Sequence, residues 1–306
     1  MYDIIGDIHG HASLLIQLLE KLGYRENGEG FYAHPERKVI FVGDYINRGT
    51  EIRKTLQIIR SMVENNKALA VIGNHEYNAI IYYLKDKNHK YIKKRSAKVK
   101  LAMRKTEEQF RGHPDEWKET LKFFRHTPMW LELDGLRIVH AYWNDEHINH
   151  LKTIFPDGKL KKKILRSALN DPRTILAIEE TLKGLDFKMP FDLVVRDSRG
   201  LSHRSFRMRW WESSEGKTFN EAAFGNKFVL PNYTIPKELT NNLDVYKETD
   251  PVVIFGHYCL GQGAQVVRPN LCCVDSCITN SGVLTAYRWS GENILSEDNF
   301  VSVERE

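Results

Sequence analysis

Five short apolar runs in the 306-residue chain end directly in side chains able to bind metals or move protons. Tyr2 to Ile5 leads into Gly6-Asp7-Ile8-His9-Gly10, and Lys38 to Val42 leads into Gly43-Asp44-Tyr45-Ile46-Asn47-Arg48-Gly49. Ala68 to Ile72 leads into Gly73-Asn74-His75-Glu76, and two later runs end in Val139-His140 and Gly256-His257. Carboxylate, amide oxygen and imidazole without thiolate form a donor set suited to divalent ions such as Mn, Fe or Zn. Asp7, His9, Asp44, Asn74, His140 and His257 are too many ligands for one catalytic ion that must keep open positions. Two ions about 3.5–4 Å apart, sharing one carboxylate, accommodate them. A single histidine at a strand end reads as a hydrogen-bonded core residue; recurrence at five ends is what points to metal.

For these residues to meet, the runs must be strands whose carboxyl ends lie together, where open α/β sheets collect their ligands. Leu14, Leu15, Leu18, Leu19 and Leu22 recur at helical spacing after the first run. Ile52, Leu56, Ile59 and Val63 do the same after the second. Strands alternating with helices predict a βαβ layout and a largely parallel sheet. Further strands are predicted at 136–139, 252–255, 271–274 and 283–287. Two less regular regions interrupt this pattern. Residues 77–127 read as helical and charged, and residues 150–250 as a lid-like mixture of short helices with the polar stretch Asn226 to Pro236. The expectation is a single catalytic domain over residues 1–306 with two insertions.

With 42% hydrophobic and 28% charged residues, the composition excludes fibrous and wholly disordered chains. No run approaches the ~18 apolar residues of a membrane span. Met1 leads straight into a strand-like run, so no signal peptide, no membrane partner and a cytoplasmic location are expected. Cys259, Cys272, Cys273 and Cys277 lack paired C-x-x-C zinc spacing and are expected to be small buried thiols. The net charge of +5 is uneven: residues 85–105 carry ten Lys or Arg and one acid, Asp86. Such a segment either attracts polyphosphate or nucleic acid or forms a solvated helix face.

In combination these motifs resemble the calcineurin-like metallophosphoesterase superfamily. Within it the likeness is to the bacterial branch of symmetrical diadenosine tetraphosphatases and to phosphoprotein phosphatases. The resemblance implies an α/β fold, a four-layer α/β/β/α sandwich with the metals at its edge. It implies that Asp7 and His9 hold one ion, Asn74, His140 and His257 hold the other, and Asp44 bridges the two. It also implies that His75 protonates the leaving oxygen and that Arg48 clamps the phosphoryl group. The cofactors would be two divalent ions per chain, Mn foremost, with Fe, Zn, Ni or Mg as alternatives. The implied reaction is in-line attack of a metal-bridged hydroxide on a phosphomonoester or phosphoanhydride, with nucleotides or dinucleoside polyphosphates as plausible substrates. A phosphoprotein phosphatase is the alternative, and a binding module that has lost turnover is a third reading. Many members carry a second histidine two positions after the last Gly-His; Cys259 stands there, which is the pattern of the protein-phosphatase-like branch. Two departures from the family pattern stand out. Asn47 replaces the aspartate that usually pairs with the catalytic histidine. Ala141-Tyr142-Trp143 follows His140, which predicts an aromatic substrate floor. Arg207, Arg209, Trp210 and Trp211 either stack a base or clamp phosphates, or pack the core of the lid. His11, His34, His113 and His203 have no motif context.

Overall fold

The computed structural model describes residues 1–305 except 190–193, 198–201, 226–227, 231, 241–244 and 262. Ten strands build two facing sheets: β1 (Tyr2–Ile5), β2 (Lys38–Phe41), β3 (Ala68–Ala70), β4 (Trp130–Leu133), β5 (Leu136–Val139), β6 (Val252–Phe255), β7 (Gln265–Arg268), β8 (Leu271–Cys273), β9 (Val283–Trp289) and β10 (Phe300–Glu304). The first sheet has the order β10-β9-β1-β2-β3 and the second β7-β8-β6-β5-β4. The strands that carry the motifs run parallel: β1 with β2 and β2 with β3, then β5 with β6 and β6 with β8. The edges are antiparallel, so each sheet is mixed rather than largely parallel. The strands β4, β7 and β10 are less buried than the central ones, and periodicity alone does not pick them out.

Strand side chains alternate between two environments. Ile4, Ile40, Val42 and Val71 meet Leu136, Ile138, Val252, Ile254 and Val274 between the sheets. Ile5, Val39 and Phe41 point the other way and join the core beneath the helices. There α1 (Ala12–Lys21) packs on β9 and β10, and α2 (Ile52–Glu64) packs on β3. Leu14, Leu15, Leu18 and Leu19 of α1 are all buried, each stabilising the fold by about 1.5–3 kcal/mol. The sandwich of two sheets with outer helices agrees with the α/β fold class that the family resemblance implies. Among the described residues, no helix is long and apolar enough to cross a membrane.

The first insertion contains α3 (Asn74–Tyr83), α4 (Ala97–Phe110) and α5 (Pro114–His126). The stretch between α3 and α4 is not helical, so the basic segment forms a helix face only from residue 97 onward. Asp86 explains part of this, because its Oδ1 accepts the N–H groups of Asn88 and Lys90 at 2.8 and 2.9 Å and closes a turn. The second insertion contains α6 (Asp145–Ile154), α7 (Lys162–Ala168) and α8 (Pro172–Lys183), followed by a hairpin pairing Asp186–Lys188 with Ser205–Arg207. Part of the Asn226 to Pro236 stretch lies outside the described residues.

Candidate metal centre

The loops leaving β1, β2, β3, β5 and β6 meet at one edge of the sandwich. His9, Asp44, Asn47, Arg48 and His257 all have left-handed φ, between 44° and 67°, although none is glycine. Each such residue costs on the order of 1–3 kcal/mol and persists only where its surroundings fix it. Backbone bonds between the loops do part of the fixing: Ile8 and His9 donate to the Asp44 carbonyl at 3.2 and 2.8 Å, and Gly49 donates to that of His9 at 2.9 Å. Glu76 does much of the rest. Its carboxylate accepts the N–H groups of Asp44 (2.8 Å), Gly73 (2.9 Å) and Tyr45 (2.9 Å). Two glycines serve close approach rather than turning. A Cβ on Gly73 would lie 2.3 Å from Asp44 Oδ1, and one on Gly256 would lie 2.3 Å from Asp7 Oδ1.

Two groups of donor atoms share Asp44. On one side, Asn74 Oδ1 lies 3.0 Å from His140 Nε2 and 2.9 Å from His257 Nδ1, and His140 Nε2 is 3.4 Å from Asp44 Oδ1. The other nitrogen of His140, Nδ1, is 2.8 Å from the Val42 carbonyl, so it donates outward and leaves the Nε2 lone pair facing in. On the other side, Asp44 Oδ2 lies 3.5 Å from His9 Nε2 and 3.8 Å from His75 Nε2. His9 is oriented in the same way, with Nδ1 donating to the Ile46 carbonyl at 3.0 Å. Asp7 lines the same cavity of about 960 Å³ and accepts the His257 N–H at 3.1 Å. The close-packed group around His9 contains His75 rather than Asp7.

The electrostatics suit cations. Burial, then Asp275 and Asp44, raise the Asp7 carboxyl well above the usual carboxylate range. Burial and Asp44 also push Asp275 up to about 6. Three buried carboxylates thus oppose one another until positive charge arrives. Burial lowers His9 to about 3 and also lowers His140 and His257. Neutral imidazoles with inward lone pairs are the form that binds metal. The residues therefore fit a pair of divalent ions.

All nine residues singled out from the motifs lie at or beside this centre. Arg48 lines its cavity, and His75 contacts Asn47, whose amide nitrogen is 2.7 Å from His75 Nδ1. Of the four lid candidates, Arg207 alone reaches the donor atoms, with Nη1 2.6 Å from His257 Nε2 and Nε 2.7 Å from Asp186. Arg209 pairs with Glu212 at 3.5 Å. Trp210 and Trp211 are buried beside Phe255 and do not face the cavity. The aromatic floor expected after His140 is absent from the described lining: Ala141, Tyr142 and Trp143 are packed in the core, and Phe206 and Phe224 of the second insertion line the cavity instead. The cysteines need a correction too. Cys259 and Cys277 form a disulfide on the cavity wall, because the loops after β6 and β8 bring their Cα atoms to 4.9 Å. Cys272 and Cys273 are buried thiols as expected. Sequence reasoning assigned no role to Glu76, Thr106 or Asp275. The signal for Glu76 was an acid directly after the Asn74-His75 pair and just ahead of the apolar Ala79-Ile80-Ile81, and for Asp275 an acid directly after a fully apolar strand.

The sequence profile of the calcineurin-like phosphoesterase family matches residues 2–274. The asymmetrical bis(5'-nucleosyl)-tetraphosphatase PrpE of Geobacillus sp. strain WCH70 is 32% identical over 146 residues, 46% of this chain and 56% of that protein. The symmetrical bis(5'-nucleosyl)-tetraphosphatase of Marinomonas sp. strain MWYL1 is 41% identical over 78 residues, 25% of this chain and 24% of that protein. The chain thus spans about half the length, or less, of these curated relatives. The crystal structure of a cold-active protein-tyrosine phosphatase from a psychrophilic Shewanella superposes with a TM-score of 0.50 over 94% of this chain and 74% of that one. At 15% identity, that likeness concerns the fold alone.

Proposed function

The chain belongs to the calcineurin-like phosphoesterase family, and on that premise we propose that it hydrolyses phosphoanhydrides of the dinucleoside polyphosphate class with two divalent ions. The observation that carries this reading is the single carboxylate of Asp44 shared by two groups of inward-facing oxygen and nitrogen donors. Asp7 and His9 would hold one ion with Asp44, and Asn74, His140 and His257 the other, Mn being the foremost candidate. Ions held there supply an acidified water and positive charge against the phosphoryl oxygens. The chain's own residues do the rest. Arg48 offers a planar two-pronged donor to the phosphoryl group. His75 turns Nε2 toward the reacting centre, from where it can donate a proton to the departing oxygen. Glu76 and the inter-loop bonds keep these groups in place before substrate arrives.

The anhydride reading over a phosphoprotein substrate draws on the names of the curated relatives. A binding module without turnover is disfavoured by the retention of all six donor residues together with His75, whose Nε2 lies 3.8 Å from Asp44. The test is hydrolysis by the Mn-loaded chain of a dinucleoside tetraphosphate, nitrophenyl phosphate and a phosphotyrosine peptide. At least roughly tenfold higher kcat/KM for the tetraphosphate than for the peptide is expected, an advantage of about 1.4 kcal/mol. A preference for the peptide would replace the anhydride reading with the phosphatase one. Two bound ions with no turnover of any substrate would make the chain a binding module.

A further inference from the structure

A second cavity, of about 410 Å³, shares His75 and Asn47 with the centre but is lined by none of the six donor residues. Its wall includes Lys93, Lys94, Arg95 and Lys183, and no carboxylate among the described residues. The first three come from the basic segment and the last from α8, so both insertions meet here. The acids that touch these cations stand outside the wall: Glu179 lies 3.7 Å from Lys93 and 2.9 Å from Lys183, and Glu107 lies 3.3 Å from Arg95. Partly exposed pairs of this kind hold their cations weakly. Arg95 is also fixed by stacking, its guanidinium 3.7 Å from the centre of the Tyr82 ring. A second, independent feature is Tyr77. It lines the same cavity at 1% exposure, and its hydroxyl has no hydrogen-bond partner. Buried hydroxyls are nearly always paired, so an unpaired one on a residue lining a cationic cavity is a donor available to an acceptor that enters there.

We infer that this cavity binds the leaving group and that the leaving group is a phosphate-bearing nucleotide. The inference rests on the anhydride reading above and makes it more specific. Hydrolysis breaks the bond between the attacked phosphorus and the bridging oxygen and forms a P–O bond from water, whose proton passes to solvent. His75 gives its proton to the departing oxygen, is reprotonated from solvent, and the departing phosphate chain is left beside it. From there its oxygens meet the lysines and Arg95 and accept a hydrogen bond from the Tyr77 hydroxyl, as charge-assisted bonds favour. A small aryl leaving group reaches none of these.

The test uses the full Mn-loaded chain and two variants, Lys93→Gln with Lys94→Gln together, and Tyr77→Phe. Neither touches the metal donors. Binding of β,γ-methylene ATP, a nucleoside triphosphate that resists cleavage of its terminal bridge, is read by calorimetry. Turnover of a dinucleoside tetraphosphate and of nitrophenyl phosphate is read in parallel. The double variant should lose roughly tenfold or more in affinity for the triphosphate and in kcat/KM for the tetraphosphate. Nitrophenyl phosphate turnover should stay within about twofold. Tyr77→Phe should weaken triphosphate binding without lowering Tm, since the hydroxyl has no bond to lose within the fold. Unchanged triphosphate binding in both variants, or equal losses for both substrates, would overturn the assignment. So would loss of triphosphate binding in Arg305→Gln alone, which would place the nucleotide in the neighbouring cavity of Arg48, Lys105 and Arg305. Failure of the anhydride reading looks different: the tetraphosphate would not be cleaved, while triphosphate binding would still respond to the two variants.

Discussion

The side-chain amide of Asn47 donates to Nδ1 of His75 at 2.7 Å, and its direction is fixed by Thr106. The Thr106 hydroxyl oxygen accepts the Asn47 backbone N–H at 3.2 Å, so its own proton goes to Asn47 Oδ1 at 2.6 Å. The amide nitrogen is therefore left facing His75. A donor at Nδ1 puts the proton of the neutral imidazole on Nε2, the atom turned toward Asp44. It also opposes a second proton on Nδ1, in addition to the lowering of the His75 pKa by burial. Thr106 sits on α4, so the first insertion sets which nitrogen of His75 carries the proton.

Asn47→Asp reverses this pairing. A carboxylate accepts from Nδ1–H and stabilises imidazolium by charge, so the His75 pKa rises. A general acid works while protonated, so the alkaline limb of the pH–rate profile should move to higher pH. The gain should be larger for poor leaving groups than for nitrophenolate. An unmoved limb in the variant would show that position 47 does not govern the acid.

Asp44 touches both donor groups, so its loss should affect both ions. Asp44→Ala is expected to lower the metal content from two ions to well under one and to reduce kcat by at least about 10³-fold. His140→Ala, in contrast, should leave the His9 side able to hold an ion, because His140 belongs to one group only. Elemental analysis of the two variants separates these outcomes. A fully active wild-type preparation with a single ion would contradict the dinuclear assignment.

The motif residues were legible because each follows a strand of a parallel arrangement, where chain order and spatial convergence coincide. Asp7, Asp44, Asn74, His140 and His257 all sit one to four residues past a strand end. The contacts that hold them were not legible, because they join residues with no periodic signature. Glu76 reaches back 32 residues to Asp44, Thr106 reaches 59 to Asn47, and Arg207 reaches 50 forward to His257. Composition flagged the basic segment and the aromatic pair Trp210-Trp211, but only packing shows which charges line a cavity and which rings fill the core.

Glu76 tests how far the loops depend on one carboxylate. Glu76→Gln keeps the shape but places an amide NH₂ where an oxygen now accepts backbone N–H groups. At least one buried donor is then unpaired, a loss of about 1–3 kcal/mol each. Urea unfolding should report destabilisation of roughly 2–4 kcal/mol, and the affinity for both ions should fall because Asp44 and Gly73 lose their common anchor. Wild-type stability in the variant would mean that the inter-loop backbone bonds suffice.

The disulfide between Cys259 and Cys277 closes a loop with a sequence separation of 18 and ties together two segments lining the cavity of the candidate metal centre. Cys259 lies two residues after His257, and the Cys277 N–H donates to Asp275 Oδ1 at 2.8 Å, so the bond joins the segment of a proposed ligand to that of a buried acid. Closing a loop of this size stabilises a fold by about 3 kcal/mol through the unfolded chain. Reduction should therefore lower unfolding stability by that order and loosen the ion held by His257 more than the ion held by His9. The double variant Cys259→Ser with Cys277→Ser should match the reduced wild type and no longer respond to reductant. Unfolding curves with and without dithiothreitol, together with metal titrations, read both effects. A wild type whose stability and metal affinity ignore the reductant would show that packing alone holds the two loops.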